Sequence, residues 1–277
     1  MKKIILSILF IALLVACGSK GTEGETGETE NKKVVLGVVG EPYKYWDPVI
    51  EKLKADGIDL ELKVYSEYSI PNNALNAGDI DINAFQHYLY LNQEIENFDY
   101  KITVLGDTIV EPLGLYTKKV ENLDSVPEGA TILIPDDISN GGRALKLLEA
   151  AGLIEVDPAK GYLPSVLDIT SNPKNLEIKS SQSDLTPSLL EDVDLAVING
   201  DLAISFGLKP SEDTIYLEEL DFEANPAAKE LINVLVVREG DEKREELLKI
   251  KEYFQSEEVK AIFEDYYFGA FKAAWEY

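Results

Sequence analysis

One histidine and one cysteine serve all 277 residues. A lone Cys17 cannot close an intrachain disulfide, so stability must come from packing and backbone hydrogen bonds, which a chain this long can supply. A lone His87 cannot build the convergent nitrogen sites that hold zinc or manganese. It also lacks a Gly-x-Ser-x-Gly elbow to serve, and with Cys17 used elsewhere, as described below, no Cys–His pair remains. Positive charge is scarce as well: 26 basic residues face 51 acidic ones, for a formal net charge of −25. Such a surface repels nucleic acid and anionic headgroups. The acids follow no Asp-x-Asp-x-Asp-Gly calcium loop, and nothing marks a carboxylate pair for glycoside hydrolysis. No Walker loop and no Gly-x-Gly-x-x-Gly follows a strand. These absences point away from an enzyme and imply no cofactor and no metal. No apolar run reaches the about 20 residues of a comfortable membrane span.

What is present begins at the first residues. Lys2 and Lys3 precede an apolar run from Ile4 to Ala16, and Leu14-Val15-Ala16 leads into Cys17. A charged start, a short apolar segment and a small residue before the cut describe an export signal. A cut before a cysteine resembles the bacterial lipobox, in which the thiol receives a diacylglycerol. An ordinary signal peptide with a chance cysteine is the alternative. The expectation is therefore a signal peptide over 1–16, lipidation at Cys17 and a protein held on the extracytoplasmic face of the cell membrane. Loss of 1–16 removes two lysines, leaving 24 basic residues against 51 acidic and a charge of −27. Residues 17–32, rich in Gly, Thr and Glu, can bury nothing and are expected to be a flexible tether spanning roughly 20 Å.

From Val34 a strand–helix rhythm sets in. VVLGVV (34–39) ends at Gly40-Glu41-Pro42 as a buried strand does. A helix is expected over 45–55, a strand over 60–65, a helix over 71–77 stopped by Gly78, a strand over 80–84, a helix over 86–96 and a strand over 102–110. The pattern resumes with a strand over 130–134, a helix over 142–151, strands over 176–179, 195–198 and 232–237, and two helices over 241–271 broken near Ser256. Alternation of this kind predicts parallel α/β architecture. Extended segments near 111–117 and 214–224 predict two α/β lobes joined by two crossings. The first lobe would be 33–113 plus 225–277 and the second 114–224, a bilobed binding-protein fold of type II with its ligand in the cleft.

Two junctions could carry chemistry. Asn83-Ala84-Phe85-Gln86-His87-Tyr88-Leu89-Tyr90 joins a strand to a helix at the strand's C-terminal end, where open α/β sheets place ligand contacts. Asn140-Gly141-Gly142-Arg143 reads as a glycine loop with an arginine in the first helical turn, a position the helix dipole disfavours. A guanidinium there offers parallel donors to a carboxylate. In isolation, Arg143 could equally be a surface arginine, and Phe85 and Tyr90 ordinary core.

The run DINAFQHYLYLN (81–92) resembles the signature of the NlpA/MetQ family, methionine-binding lipoproteins that serve ABC importers. SEYSIPNNAL (66–75), NGGRALKLLEAAGLI (140–154), GYLPSVLDI (161–169), NPKNLEI (172–178), LAVING (195–200) and LINVLVVRE (231–239) follow in the family's order, so the resemblance covers 33–277. It implies that Tyr68, Phe85, His87 and Tyr90 surround the ligand side chain. It implies that Arg143 grips the ligand carboxylate and that Asn199 and Asn233 hydrogen-bond the amino-acid backbone. The implied ligand is L-methionine, with D-methionine or a methionine dipeptide as alternatives. The implied partners are an importer's permease and ATPase subunits, and the membrane through the lipid. Leu89 stands where many members have proline, and Asp201-Leu202 replaces an Asn–Tyr or Thr–Tyr pair. The aromatic loop Glu41-Pro42-Tyr43-Lys44-Tyr45-Trp46 is expected to add wall to the pocket or enlarge it. The rival function is an adhesion or host-interaction lipoprotein with a degenerate pocket, and an enzyme ranks third.

Overall fold

A computed structural model describes residues 31–41, 43–267 and 270–277. The expected export signal, Cys17 and the tether as far as residue 30 lie outside the described residues.

The first strands are β1 (Lys32–Val39), β2 (Ile58–Tyr65), β3 (Ile82–His87) and β4 (Ile102–Asp107), interleaved with helices α1 (Asp47–Ala55), α2 (Pro71–Ala77) and α3 (Tyr88–Phe98). A short β5 (Ile109–Val110) leads through residues 111–113 into β6 (Gly114–Tyr116). Next come β7 (Thr131–Pro135), α4 (Ile138–Ala150), the small pair β8 (Glu155–Val156) and β9 (Ile169–Ser171), and β10 (Glu177–Ser181). Then follow β11 (Leu195–Ile198), α5 (Gly200–Ser205), α6 (Pro210–Asp213) and β12 (Thr214–Leu217). The chain returns through 218–232 to β13 (Asn233–Arg238), then α7 (Glu245–Phe254), α8 (Glu257–Asp265) and β14 (Lys272–Ala273).

These strands build two sheets of matching design. The first lobe's sheet runs β2-β1-β3-β13-β4 and the second lobe's runs β10-β7-β11-β6-β12. The bilobed α/β fold is thus as expected, but neither sheet is purely parallel. In each, four strands share one direction and one antiparallel strand is inserted among them. That strand is β13 in the first sheet, between β3 and β4, and β6 in the second, between β11 and β12. Both are the strands that arrive from the other lobe, so they enter from the opposite direction. Local periodicity carries no trace of that long-range insertion.

Two boundaries also differ from expectation. β3 ends at His87 and α3 begins at Tyr88, about one helical half-turn later than the pattern suggested, because the His87 ring caps the helix: its Nδ1 accepts from the Tyr90 backbone N–H at 3.0 Å. Helix α4 begins at Ile138, capped by Asp137, whose side chain accepts from the Asn140 N–H. Asn140, Gly141 and Gly142 are therefore helical, and Arg143 lies in the second turn rather than the first. The glycines answer to crowding. A Cβ on Gly142 would lie 2.5 Å from the Tyr162 carbonyl oxygen, and one on Gly141 2.8 Å from that of Pro135. The expected strand over 102–110 is interrupted after Asp107, and β5 pairs instead with β14.

The cores follow from the patterns. Val34, Leu36 and Val38 on β1 and Leu195 to Ile198 on β11 are buried, as central strands covered on both faces must be. Ser256 caps α8 by accepting from the Val259 N–H, and α7 and α8 close the first lobe over a cluster of rings. Phe254 sits at its centre, 4.7 Å from Trp46 and 5.7 Å from both Tyr45 and Trp275. Tyr43, Tyr45 and Trp46 are thereby mainly first-lobe core, although all three also face an inner cavity described below.

Candidate ligand-binding cleft

The C-terminal end of β3, the first turn of α3 and the start of β13 meet at one edge of the first sheet. Asn233 on β13 pairs directly with His87 on β3, which fixes their mutual position through the backbone ladder. Opposite them, the second lobe presents the first turns of α4 and the end of β11. Between the two edges lies a narrow cavity lined by Tyr68, Phe85, His87, Tyr90, Asn199 and Asn233, together with Gln86, Glu111 and Asn140. Six of the seven residues singled out from sequence are thus brought together around one space. Arg143 is not part of that lining, but it donates through Nη2 to the backbone carbonyl of Glu111, which is.

The rings form a continuous wall. Tyr68 and Phe85 stack at 6.0 Å between centroids, and Tyr90 stands edge-on to Phe85 at 5.9 Å and to His87 at 6.4 Å. His87 Nδ1 accepts from the Tyr90 N–H, so Nε2 carries the hydrogen and donates to Asn140 Oδ1 at 3.2 Å. Burial, and then the nearby Arg143 guanidinium, push the imidazole down to about 3, which keeps it neutral in this arrangement. Asn140 Oδ1 also accepts from Asn199 Nδ2 at 3.0 Å, while Asn140 Nδ2 donates to the Asp137 carboxylate. One amide therefore ties together β3, α4 and β11.

Arg143 is wholly buried. Its Nε donates to Glu218 at 2.9 and 3.1 Å, and its Nη2 donates to Glu218 Oε2 at 2.5 Å. The two-pronged edge of the guanidinium is therefore taken by a protein carboxylate, whereas the sequence reading gave it to a ligand. Nη1 is the remaining edge, and among the described residues it has no partner. Glu218 also accepts from the Leu113 backbone N–H at 2.9 Å, so this ion pair links both segments that cross between the lobes.

Among the described residues, seven buried side-chain atoms lack a partner, and besides Arg143 Nη1 three of them are acceptors lining this cavity: Asn199 Oδ1, Asn233 Oδ1 and Glu111 Oε2. Buried polar groups left unpaired carry a desolvation cost and are uncommon in native proteins. Their concentration on one cavity, beside a free guanidinium edge, marks a place built to receive a polar molecule.

A second, equally narrow cavity shares Phe85, Glu111 and Asn233 with the first and reaches inward to Tyr43, Tyr45, Trp46 and Asp201. Asp201 accepts from the Tyr68 hydroxyl with both oxygens, at 2.6 and 2.7 Å, and Tyr43 donates to the Asp201 carbonyl at 3.0 Å. These contacts join the first lobe to α5 in the second. Asn140, Glu111, Asp201 and Glu218 were not singled out from sequence as site residues. For Glu111 a signal existed: a carboxylate set inside the apolar stretch Ile109-Val110-Glu111-Pro112-Leu113 is costly to bury without a purpose.

Among the described residues, no group of three His, Cys, Asp or Glu side chains is placed to hold a metal ion. No described helix is long and apolar enough to cross a membrane.

Comparison with known proteins places this geometry. The D-methionine-binding lipoprotein MetQ of Escherichia coli K12 is 37% identical over 250 residues, 89% of this chain and 87% of that protein. Protein PG110 from Staphylococcus aureus superposes with a TM-score of 0.83 at 41% identity, covering 87% of this chain and 93% of that one. A nutrient-binding protein from Burkholderia cenocepacia, solved bound to methionine, gives a TM-score of 0.80 at 35% identity over 87% of this chain and 99% of its own. The pattern of the NlpA lipoprotein family matches residues 34–275, nearly the whole folded part, and the chain belongs to that family.

Proposed function

We propose that this protein is a lipid-anchored, extracytoplasmic solute-binding protein that captures methionine for an ABC importer. The observation that carries the reading is the cavity's composition. A wall of four rings stands beside unpartnered amide oxygens and a buried guanidinium with one free edge. A free amino acid is a zwitterion, and burying it requires a partner for each charge. In this reading Arg143 Nη1 donates to the ligand carboxylate. Asn199 Oδ1 and Asn233 Oδ1 accept from its ammonium. The rings of Tyr68, Phe85, His87 and Tyr90 surround the side chain. A thioether prefers polarizable company, and each sulfur–aromatic contact contributes about 0.3–1.5 kcal/mol. Methionine is unbranched, so a ring-lined slot selects it over Val and Ile.

The cleft supplies the reason for closure. A ligand held by Arg143 and Asn199 from one lobe and by Phe85 and Asn233 from the other binds the closed form better than the open form. The importer's permease would then read the closed shape, and its ATPase subunits would supply the energy.

Thermal unfolding with and without ligand tests the assignment. L-methionine at 100 times its dissociation constant is expected to add about 2.7 kcal/mol of stability. D-methionine and methionine dipeptides, assayed in parallel, rank the alternatives. An unchanged transition with all of them would remove methionine capture and leave the adhesion reading. The anchor has its own test. Cys17→Ser is expected to release the protein from the membrane fraction while leaving methionine binding intact. Retention of that variant on membranes lacking the importer would count against a lipid tether.

A further inference from the structure

Strand β3 is irregular in the middle of the ring wall. Along β13, Val234 faces Gln86 and Leu235 faces Ala84, so Phe85 is the one residue of β3 with no partner on that strand. One extra residue makes a β-bulge, which bends a strand locally and re-aims its side chains. In a regular strand, side chains three positions apart point to opposite faces. Across this bulge Asn83 and Gln86 turn to the same side, where Gln86 Nε2 donates to Asn83 Oδ1 at 3.1 Å. Phe85 and His87 are left to line the cleft. Of the four wall rings, only Phe85 borders both cavities.

Both amides meet at Asn72. It lies in the first turn of α2, is fully buried and lines neither cavity. Its Oδ1 accepts from Gln86 Nε2 at 2.6 Å and from Asn83 Nδ2 at 3.0 Å, and its Nδ2 donates to Gln86 Oε1 at 2.7 Å. One side chain thus clasps the strand on both sides of the extra residue. Tyr68, four residues before Asn72, stacks on Phe85, so the clasp also ties together the two partners of that stack. A satisfied network of buried amides rigidifies its surroundings and selects a single geometry. We infer that Asn72 is a positioning residue: by holding the bulge at Phe85 it sets the width of the ring-lined slot, and so decides which ligand side chains fit. This rests on the amino-acid reading given above. Truncation of Asn72 would leave Asn83 and Gln86 with only their bond to each other, and the Phe85 ring free to shift between the two cavities.

Titration calorimetry with methionine and ethionine, its homologue longer by one methylene, tests the assignment. The quantity read is the ratio of their affinities. A role confined to stability would lower the unfolding midpoint and leave that ratio alone. The unaltered protein is expected to prefer methionine by about tenfold or more, as a closed apolar slot discriminates one methylene. In Asn72→Ala that preference is expected to fall about fivefold, because a wall free to move admits the longer chain. Asn72→Ser, whose hydroxyl is too short to span both amides, is expected to lower it likewise and serves in its place should Asn72→Ala not fold. The ring is the route of the effect: in a Phe85→Leu protein, Asn72→Ala is expected to change the ratio by less than about twofold. A ratio in the folded Asn72 variant within about twofold of the original, or an equal change with and without the Phe85 ring, would overturn the inference. Equal affinities for the two compounds in the unaltered protein would overturn it without any variant. A protein that binds neither compound would instead overturn the underlying amino-acid reading.

Discussion

Arg143→Ala is expected to lower methionine affinity by about two to three orders of magnitude and to destabilise the fold by about 3–5 kcal/mol. Both effects have one origin. The guanidinium serves a resident carboxylate through Nε and Nη2 and leaves Nη1 for a visitor. Its removal strips the ligand carboxylate of its cation. It also strands Glu218, which stays almost buried beside the Leu113 N–H with no positive partner. Arg143→Lys separates the two. A single ammonium keeps the charge but cannot span the fork to Glu218 and a third direction at once. That variant is expected to recover part of the stability and less of the affinity. Calorimetric titration and urea denaturation of the same preparations provide both readouts. Near-native affinity in a folded Arg143→Ala protein would show that the carboxylate is held elsewhere.

Phe254→Ala carries the largest expected loss of stability without loss of a charge. The ring is 1% exposed at the end of α7 and lies among Tyr45, Trp46, Phe263 and Trp275. Deleting a buried phenylalanine ring typically costs about 3–5 kcal/mol, part transfer free energy and part cavity. The surrounding rings are rigid and pack on one another in tilted and edge-to-face pairs, so they have little means of collapsing into the gap. A lowered urea midpoint with an unchanged slope is the expected signature. A loss under about 1 kcal/mol would mean that the cluster repacks and that its geometry does not constrain Tyr43 and Trp46 above the inner cavity.

Where local rules apply, sequence and structure coincide. Helix α2 spans Pro71–Ala77 because proline opens it and Gly78 closes it in the left-handed region, at φ 86°. Strand β11 is Leu195–Ile198, an unbroken apolar run as a doubly covered strand requires. The departures share a cause too. His87 caps α3 although capping preferences favour Ser, Thr, Asp and Asn, so local rules place the junction two residues early. The paired glycines in α4 looked like a loop, but they relieve contact with Tyr162 and Pro135, which no local rule registers.

The site divides the same way. Its rings and asparagines stood in runs that resemble a family, so they could be named before any coordinates. Glu218 and Glu111 could not, because what defines them is Arg143, 75 residues away from one and 32 from the other. Asn140 was visible in its motif, but its role depends on His87 and Asn199, which only folding brings near.

The exchange of strands between the sheets has a bearing on biogenesis. Until Arg238 has been synthesised, nothing can bridge β3 and β4, and the first lobe's sheet stays in two pieces. Contacts this distant in the chain form late and slowly. A polypeptide whose earliest half cannot finish folding before its last fifth exists is kept loose while it is made. Looseness is a hazard for a protein that folds where it is translated, but it is a convenience for one that must be threaded through a narrow translocation channel first.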